Sequence, residues 1–178
     1  KRSGKSKCSA HLAKHGLERI NFKTELLNEL KQSLPDLLKY WADKYKMTID
    51  EMLENKPCEE VRFLMQNWGT EFRRSEDKNY WVNKWKKNVA GKNVVVDDCR
   101  FLNEAKAVKD NGGVIIKIIR PGFLGDSHQS EKEINDIQAD YTIFNDTDIN
   151  KLIQAIDDLY VELKKRSETP TLRNLQQN

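Results

Sequence analysis

Val94-Val95-Val96-Asp97-Asp98-Cys99-Arg100 is the stretch on which the fold class turns. Three β-branched residues in a row read as a strand covered on both faces, as in a parallel sheet. The carboxylates that follow stand where such a sheet meets its ligands, at the C-terminal edge of a strand. An apolar strand ending in Asp is the Walker B arrangement, in which the carboxylate holds Mg²⁺ beside a phosphate. An ordinary acidic turn is the competing reading. Downstream, Phe101–Asn111 has helical spacing and stops at Gly112-Gly113. Val114–Ile119 is a second apolar strand, closed by Arg120-Pro121. Ser130 and Glu133 fit a capping box, Tyr141–Phe144 a short strand. Ile149, Leu152, Ile153, Ile156, Leu159, Tyr160 and Leu163 keep the helical repeat in a long last helix.

Upstream, Leu17–Phe22 reads as a short strand, preceded by a helix over Lys5–His15 that ends at Gly16. Residues 24–88 are helical throughout. Thr24 offers an N-cap, and Leu26, Leu27, Leu30 and Leu34 recur at helical spacing until Pro35 interrupts. Leu37, Leu38, Trp41 and Tyr45 then share a face, and Thr48 with Glu51 forms a capping box. Val61, Leu64, Met65, Trp68 and Phe72 make one stripe, and a helix over Asp77–Asn88 carries Trp81 and Trp85. Strands alternating with helices predict an α/β fold with a parallel sheet. Residues 24–88, between two strands, look like an inserted substrate-binding subdomain.

Ser3-Gly4-Lys5-Ser6 is the end of a Walker A pattern. Backbone amides there wrap phosphates, the next helix aims its positive end at them, and Lys5 neutralises the β/γ charge. The Ser6 hydroxyl is the Mg²⁺ ligand, paired with Asp97. Ser3, Gly4, Lys5, Ser6 and Lys7 are therefore the candidate ATP-binding loop. A basic, unstructured Lys1–Lys7 is the alternative. The pattern's first glycine falls two positions before Lys1. The expectation is that a β-branched strand and that glycine precede the given chain.

On the insertion, Arg62, Gln66 and Arg73 are spaced i, i+4, i+11 and fall within about 40° of one another on an α-helix. They stand apart from the apolar stripe, with Gly69 on their own face. Arginine forks suit phosphate, while a solvated face is the plain alternative. Arg100 follows Asp97 closely enough to share its strand edge, binding phosphate or pairing with Asp98 or Glu104. Arg120 ends a strand and faces the ATP site or caps the sheet. His128 is a lid ligand or idle. Ser130 is a cap rather than a catalytic group, and Glu131 joins lid closure or complements a helix dipole. Trp68, Trp81 and Trp85 read as core.

The chain has 178 residues, 33% of them charged and 38% hydrophobic, with a net charge of +3. That suits one globular domain. The charge bias is too weak for a nucleic-acid coat or a membrane surface, and no apolar run is long enough to span a bilayer. Cys8, Cys58 and Cys99 have no metal-like spacing and read as free thiols of a reducing compartment, the cytoplasm.

Taken with Gly-Lys-Ser, the blocks "ERINFKTELL" (Glu18–Leu27), "LMQNWGTEFRR" (Leu64–Arg74), "VVVDDCRFLNEA" (Val94–Ala105), "GGVIIKIIRPG" (Gly112–Gly122) and "HQSE" (His128–Glu131) resemble the deoxynucleoside monophosphate kinases of tailed bacteriophages. The resemblance runs from residue 4 to about residue 160. It implies a three-layer P-loop fold with five parallel strands, the first absent from the given chain. The kinase domain would be residues 1–166, with a helical insertion over 24–88, a lid over 121–131 and an unstructured tail over 167–178. It implies ATP and Mg²⁺, with Lys5, Arg100 and Asp97 at the chemistry and Arg120 and His128 on the ATP side. Lys23, Arg62, Gln66, Arg73, Asp98, Arg100, Glu104 and Glu131 would surround a nucleoside monophosphate. No nucleic-acid polymer or membrane is implied as partner, and a homodimer stays open. Animal-type phosphomevalonate kinases share similar blocks, so a phosphorylated alcohol is the rival acceptor. A P-loop-derived binding protein without activity is the rival outside enzymes.

Overall fold

The computed structural model describes residues 3–122, 129–146 and 148–168, with the side chains of 129–132 outside that description. Helix α1 (Lys5–Ala13) follows the Gly-Lys-Ser loop and leads through a turn to β1 (Glu18–Arg19). Helices α2 (Lys23–Ser33), α3 (Pro35–Tyr45), α4 (Ile49–Asn55) and α5 (Glu59–Gln66) come next. α5 runs directly into a π-helical segment, Asn67–Arg74, then α6 (Tyr80–Val89) and β2 (Val94–Val95). The rest is α7 (Leu102–Asp110), β3 (Ile116–Ile119), α8 (Gln129–Asp136), β4 (Tyr141–Phe144) and α9 (Ile149–Glu168). The result is an α/β molecule whose described strand pairs are parallel.

The strands form two separate pairs rather than one sheet. β1 lies beside β2 with Glu18 opposite Val94, and β3 beside β4 with Ile116 opposite Tyr141. A cavity of about 830 Å³ lies between them, walled by Val95 and Val96 on one side and Ile116 and Ile118 on the other. Cys8, Leu12 and Ile156 also line it. This is why the Val94–Val96 run, read as covered on both faces, is only half-buried.

Three apolar clusters hold the elements. Leu30, Leu38, Met52, Leu53, Val61 and Met65 form one within α2–α5. Phe22, Val82, Trp85, Val89 and Ala107 form a second that ties α6 and α7 to the start of α2. Cys8, Leu12, Leu152 and Ile156 join α1 to α9. Each fully buried side chain of this size contributes roughly 1.5–3 kcal/mol.

Several local expectations change. Thr24 is not the α2 cap; Asp98, from beyond β2, takes that role. Leu37 and Phe72 were placed on apolar stripes but are 37% and 42% exposed, because Leu38 and Ala42 carry the buried face of α3 and the π segment shifts the phase after Gln66. α8 begins at Gln129, so Ser130 stands inside its first turn and is not its cap. α9 continues through Glu168, beyond the expected end of the ordered chain. The Thr48–Glu51 capping box forms: Glu51 N donates to Thr48 Oγ1 at 3.2 Å and Thr48 N to Glu51 Oε2 at 2.9 Å.

Candidate active site

The Ser3–Lys7 loop is shaped by Gly4, whose φ of 104° is left-handed. A Cβ there would also meet Leu152 Cδ2 at 2.5 Å and Asn145 Nδ2 at 3.2 Å. Asn145, just past β4, donates from Nδ2 to Ser3 O at 2.9 Å and from its backbone N to Ile119 O at 2.7 Å. It thus fastens the loop to the second strand pair. α1 starts at Lys5 with no side-chain cap and no acidic residue in its first turn. Its first amides and its positive end are left for an anion. Ser3 Oγ is buried with no hydrogen-bond partner among the described residues, the mark of a ligand-facing group. Lys5 is exposed.

Beside the loop, Asp97 is engaged on both oxygens. Oδ2 accepts from Ser9 Oγ and from Arg19 Nε at 3.0 Å; Oδ1 accepts from Asn21 Nδ2 at 2.9 Å. Burial alone would raise its pKa, but these donors and the Arg19 charge outweigh it and hold Asp97 below its ordinary value. Asp97 therefore stays anionic, with Oδ1 keeping one lone pair unused. Ser6 and Asp97 line the same cavity. A hydroxyl and a carboxylate are donors a hard cation accepts, so the pair fits Mg²⁺. The serine that touches Asp97 is Ser9, which is buried, with its Oγ also 3.2 Å from Ser6 O.

Asp98 does something else. Its Oδ1 accepts from Phe22 N at 3.0 Å and its Oδ2 from Lys23 N at 2.8 Å, so it caps α2 from another strand. Burial raises its pKa against those two bonds. Glu104 is likewise committed: it accepts from Arg100 N at 2.8 Å and Phe101 N at 3.2 Å and pairs with Arg74 Nη2. Burial pushes Glu104 up to about 7 despite the Arg74 charge. Both carboxylates line the cavity, but their bonds build its wall.

The cavity, about 850 Å³, runs from Ser3–Lys7 to the insertion. Lys23, Arg62, Gln66, Arg100 and Arg120 all reach it. Arg73 does not. The i→i+5 bonding of Asn67–Arg74 turns each residue by less than the 100° of an α-helix, so the predicted common face with Arg62 and Gln66 is lost. Arg73 Nε instead donates to Glu29 Oε1 at 2.5 Å, and its guanidinium lies 4.5 Å from the Phe72 ring centre. Arg74 takes the cavity position, 3.7 Å from the centre of the Phe101 ring. Gly69 lines the cavity too, but a Cβ there would sit 3.3 Å from Leu26 Cδ2, so its smallness serves the contact with α2.

Lys56 was not anticipated. It ends α4 at φ 50° and reaches the cavity. Burial lowers its pKa, and the charges of Lys23, Arg62 and Arg100 lower it further. Four cations thus converge where an anion would relieve their repulsion. Among the anions, Glu54 lies 2.7 Å from Lys23 Nζ and its charge partly offsets the lowering at Lys56. Arg74 and Asn145 were also missed. A polar residue at the end of β4 mirrors Asp97 at the end of β2 and was readable as a sheet-edge ligand; nothing local marks Lys56 or separates Arg74 from Arg73. His128 and most of the 121–131 lid lie outside the described residues, as does the Glu131 side chain. Trp81 and Trp85 are buried as expected, while Trp68 is half-buried and donates from Nε1 to Glu29 Oε1 at 2.9 Å. No described helix is long and apolar enough to cross a membrane.

Comparison with known proteins gives the family. A protein of Acanthamoeba polyphaga mimivirus, provisionally named a deoxynucleotide monophosphate kinase, is 28% identical over 184 residues, covering 88% of this chain and 90% of that protein. The pattern that defines deoxynucleotide monophosphate kinases matches residues 28–156, which take in residues 28–88 of the insertion, Asp97, Arg100 and β4. The chain belongs to the deoxynucleotide monophosphate kinase family.

Proposed function

We propose that this kinase transfers the γ-phosphate of ATP, with Mg²⁺, to a deoxynucleoside 5′-monophosphate. The observation that carries this reading is one cavity with a phosphate loop at one end and the Lys23, Lys56, Arg62 and Arg100 cluster on its wall. The loop amides, Lys5 and Ser3 Oγ bind the donor phosphates, with Arg120 and His128 on the same side. The cation cluster, with Gln66 and Arg74, binds the acceptor phosphate, which carries close to two negative charges. An acceptor phosphate oxygen attacks the γ-phosphorus; the bond from that phosphorus to the β,γ-bridging oxygen breaks, and its electron pair leaves on ADP. The acceptor is already anionic, so no general base is needed, and positioning with charge neutralisation carries the step. Ser6 and Asp97 would hold Mg²⁺, which would supply charge neutralisation for the donor phosphates. The residues 24–88 insertion acts as the acceptor-binding unit, and 121–131, with Glu131, as the lid.

The finer fold reading is a three-layer P-loop domain. The cavity between the two strand pairs has the β-branched lining a buried central strand needs. In this reading a fifth parallel strand, from residues encoded upstream of Lys1, fills it and delivers the first glycine of the loop. An encoding frame that starts directly before Lys1 would overturn it.

The functional test is ADP release with ATP and a panel of dTMP, dGMP, dCMP and phosphomevalonate, using protein with its encoded upstream residues. Turnover with a deoxynucleotide is expected, and Lys5→Ala should lower it by at least about a hundredfold, the scale for losing a positioned charge donor. Circular dichroism should be unchanged, since Lys5 is exposed. Near-normal turnover of folded Lys5→Ala would overturn the donor site. Turnover of phosphomevalonate alone would keep the reaction and change the acceptor.

A further inference from the structure

The far end of α1 carries a cluster that phosphate transfer does not use. His11 lies in the last turn of the helix, and His15 follows where the chain tightens: His15 N donates to Leu12 O at 3.0 Å, and Gly16 turns away at φ 89°. A spacing of four brings both imidazoles to one side. Asp157 meets them from α9. His11 Nε2 is 2.7 Å from Asp157 Oδ1, His15 Nε2 is 3.1 Å from the same oxygen, and the two nitrogens are 3.3 Å apart.

These three atoms form a triangle of lone-pair donors from α1, the turn after it and α9. If both nitrogens carry protons, the two lone pairs of Asp157 Oδ1 can accept both; if neither does, three lone pairs face one point. A cation above the triangle takes all three. With bonds of about 2.0–2.1 Å and tetrahedral angles, ligand atoms around Zn²⁺ stand about 3.3 Å apart. The two edges at His15 lie within a few tenths of an ångström of that, while the His11–Asp157 edge, 2.7 Å, is shorter and would open by about 0.6 Å around an ion. Two imidazoles and a carboxylate suit a transition metal rather than Mg²⁺ or Ca²⁺, which take oxygen ligands. The side chains are 25%, 41% and 30% exposed, which leaves room for water as a fourth ligand. The helix end itself is favourable, because its carbonyls give it partial negative charge.

We propose that His11, His15 and Asp157 form a Zn²⁺ site that clamps α1 to α9. The two helices already touch at the other end of α1, where Leu152 closes over Gly4. The ion would fix the far end of the helix that carries the phosphate loop, apart from the Ser6–Asp97 position. The inference does not depend on the acceptor or on turnover.

The test is Zn²⁺ binding to the full chain in excess Mg²⁺, by competition with a chromophoric chelator, with Co²⁺ as a spectroscopic stand-in. One Zn²⁺ per chain is expected, with affinity reduced at least about tenfold in His15→Ala and in Asp157→Asn. Co²⁺ should give the bands of a four-coordinate nitrogen and oxygen site, without a thiolate charge-transfer band. His15 is exposed and Asp157→Asn keeps the side-chain shape, so both variants should fold, which circular dichroism checks. Unchanged Zn²⁺ affinity in the two folded variants, no binding to the parent chain, or a thiolate band pointing to Cys8, Cys58 or Cys99 would each overturn the proposal.

Discussion

Arg73 and Arg74 are neighbours in the chain, and each ends on a buried glutamate in a different region. Arg73 meets Glu29 at the junction of α2, the π segment and α6; Arg74 meets Glu104 on the cavity wall. Both glutamates are under a tenth exposed. Burial raises both, yet Glu29 is held down at about 2 and Glu104 is pushed up to about 7. The difference lies in the donors. Glu29 accepts from Lys84 Nζ at 2.7 Å, Tyr80 Oη at 2.6 Å, Trp68 Nε1 at 2.9 Å and Arg73 Nε at 2.5 Å. Glu104 has one cation and two backbone amides, and the nearby Asp98 raises it further. A saturated carboxylate makes a joint; a less well compensated one holds Arg74 at the cavity wall.

The sharpest way to break this comparison is to remove each arginine in turn. Arg74→Ala leaves Glu104 buried without its cation and should cost about 3 kcal/mol at pH 8, the low end for breaking a buried pair. The cost should shrink by pH 6, where the abandoned carboxyl takes up a proton. Affinity for the acceptor nucleotide should fall as well. Arg73→Ala leaves three donors on Glu29, so it should lower the melting temperature without changing acceptor affinity. Urea denaturation and calorimetry with dTMP measure both. Equal losses of affinity would return Arg73 to the site and contradict the π-segment geometry.

Acid titration sharpens the same contrast at Glu29. Its folded-state pKa, about 2, lies below the ordinary 4.5. The stabilisation is therefore complete above pH 4.5 and lost as pH falls towards 2, and amounts to about 3 kcal/mol over that window. Glu29→Gln should be less stable than the parent at pH 6 and should lose less on going to pH 3. Parallel acid curves for the two proteins would show that the four donors do not act on the charge.

What could be read from the chain follows the range of the interactions. The α9 stripe, the Thr48–Glu51 box, the four strand segments and the Gly4 loop are local patterns, decided within a few residues. The π segment is not local. Val61 to Phe72 looks like continuous α-helix, and the wider turn is held by distant groups: Trp81 Nε1 on Gly69 O at 2.8 Å, and Glu29 on Trp68 and Arg73. Asp98 caps a helix that begins 75 residues earlier, so Thr24 was the only cap visible nearby. Lys56 enters the site because its backbone turns left-handed before Pro57, a stop signal that says nothing about direction. Within the candidate site the loop and Asp97 were legible, while the choice among the cations was not.

Glu104→Gln probes the smallest expected effect and isolates the cavity side of the comparison. The unfolded carboxyl loses its proton near pH 4.5, the folded one near pH 7. Between those values the folded state holds the extra proton, so this group's contribution is fully present below pH 4.5 and declines as pH rises to 7. That sign is opposite to the one at Glu29, although both residues pair with arginine. Gln has no charge to bury but keeps only one acceptor oxygen, so its amide NH2 faces either Arg74 Nη2 or the Arg100 and Phe101 amides. The variant should be about 1 kcal/mol less stable than the parent at pH 5, the low end for a buried donor left unpaired, and should close that gap as pH rises to 8 and the parent's carboxyl ionises. Denaturation midpoints at pH 5, 6, 7 and 8 measure the difference. If the parent and Glu104→Gln curves run parallel, Arg74 fully compensates the buried charge, and the cavity wall is as settled a joint as the one at Glu29.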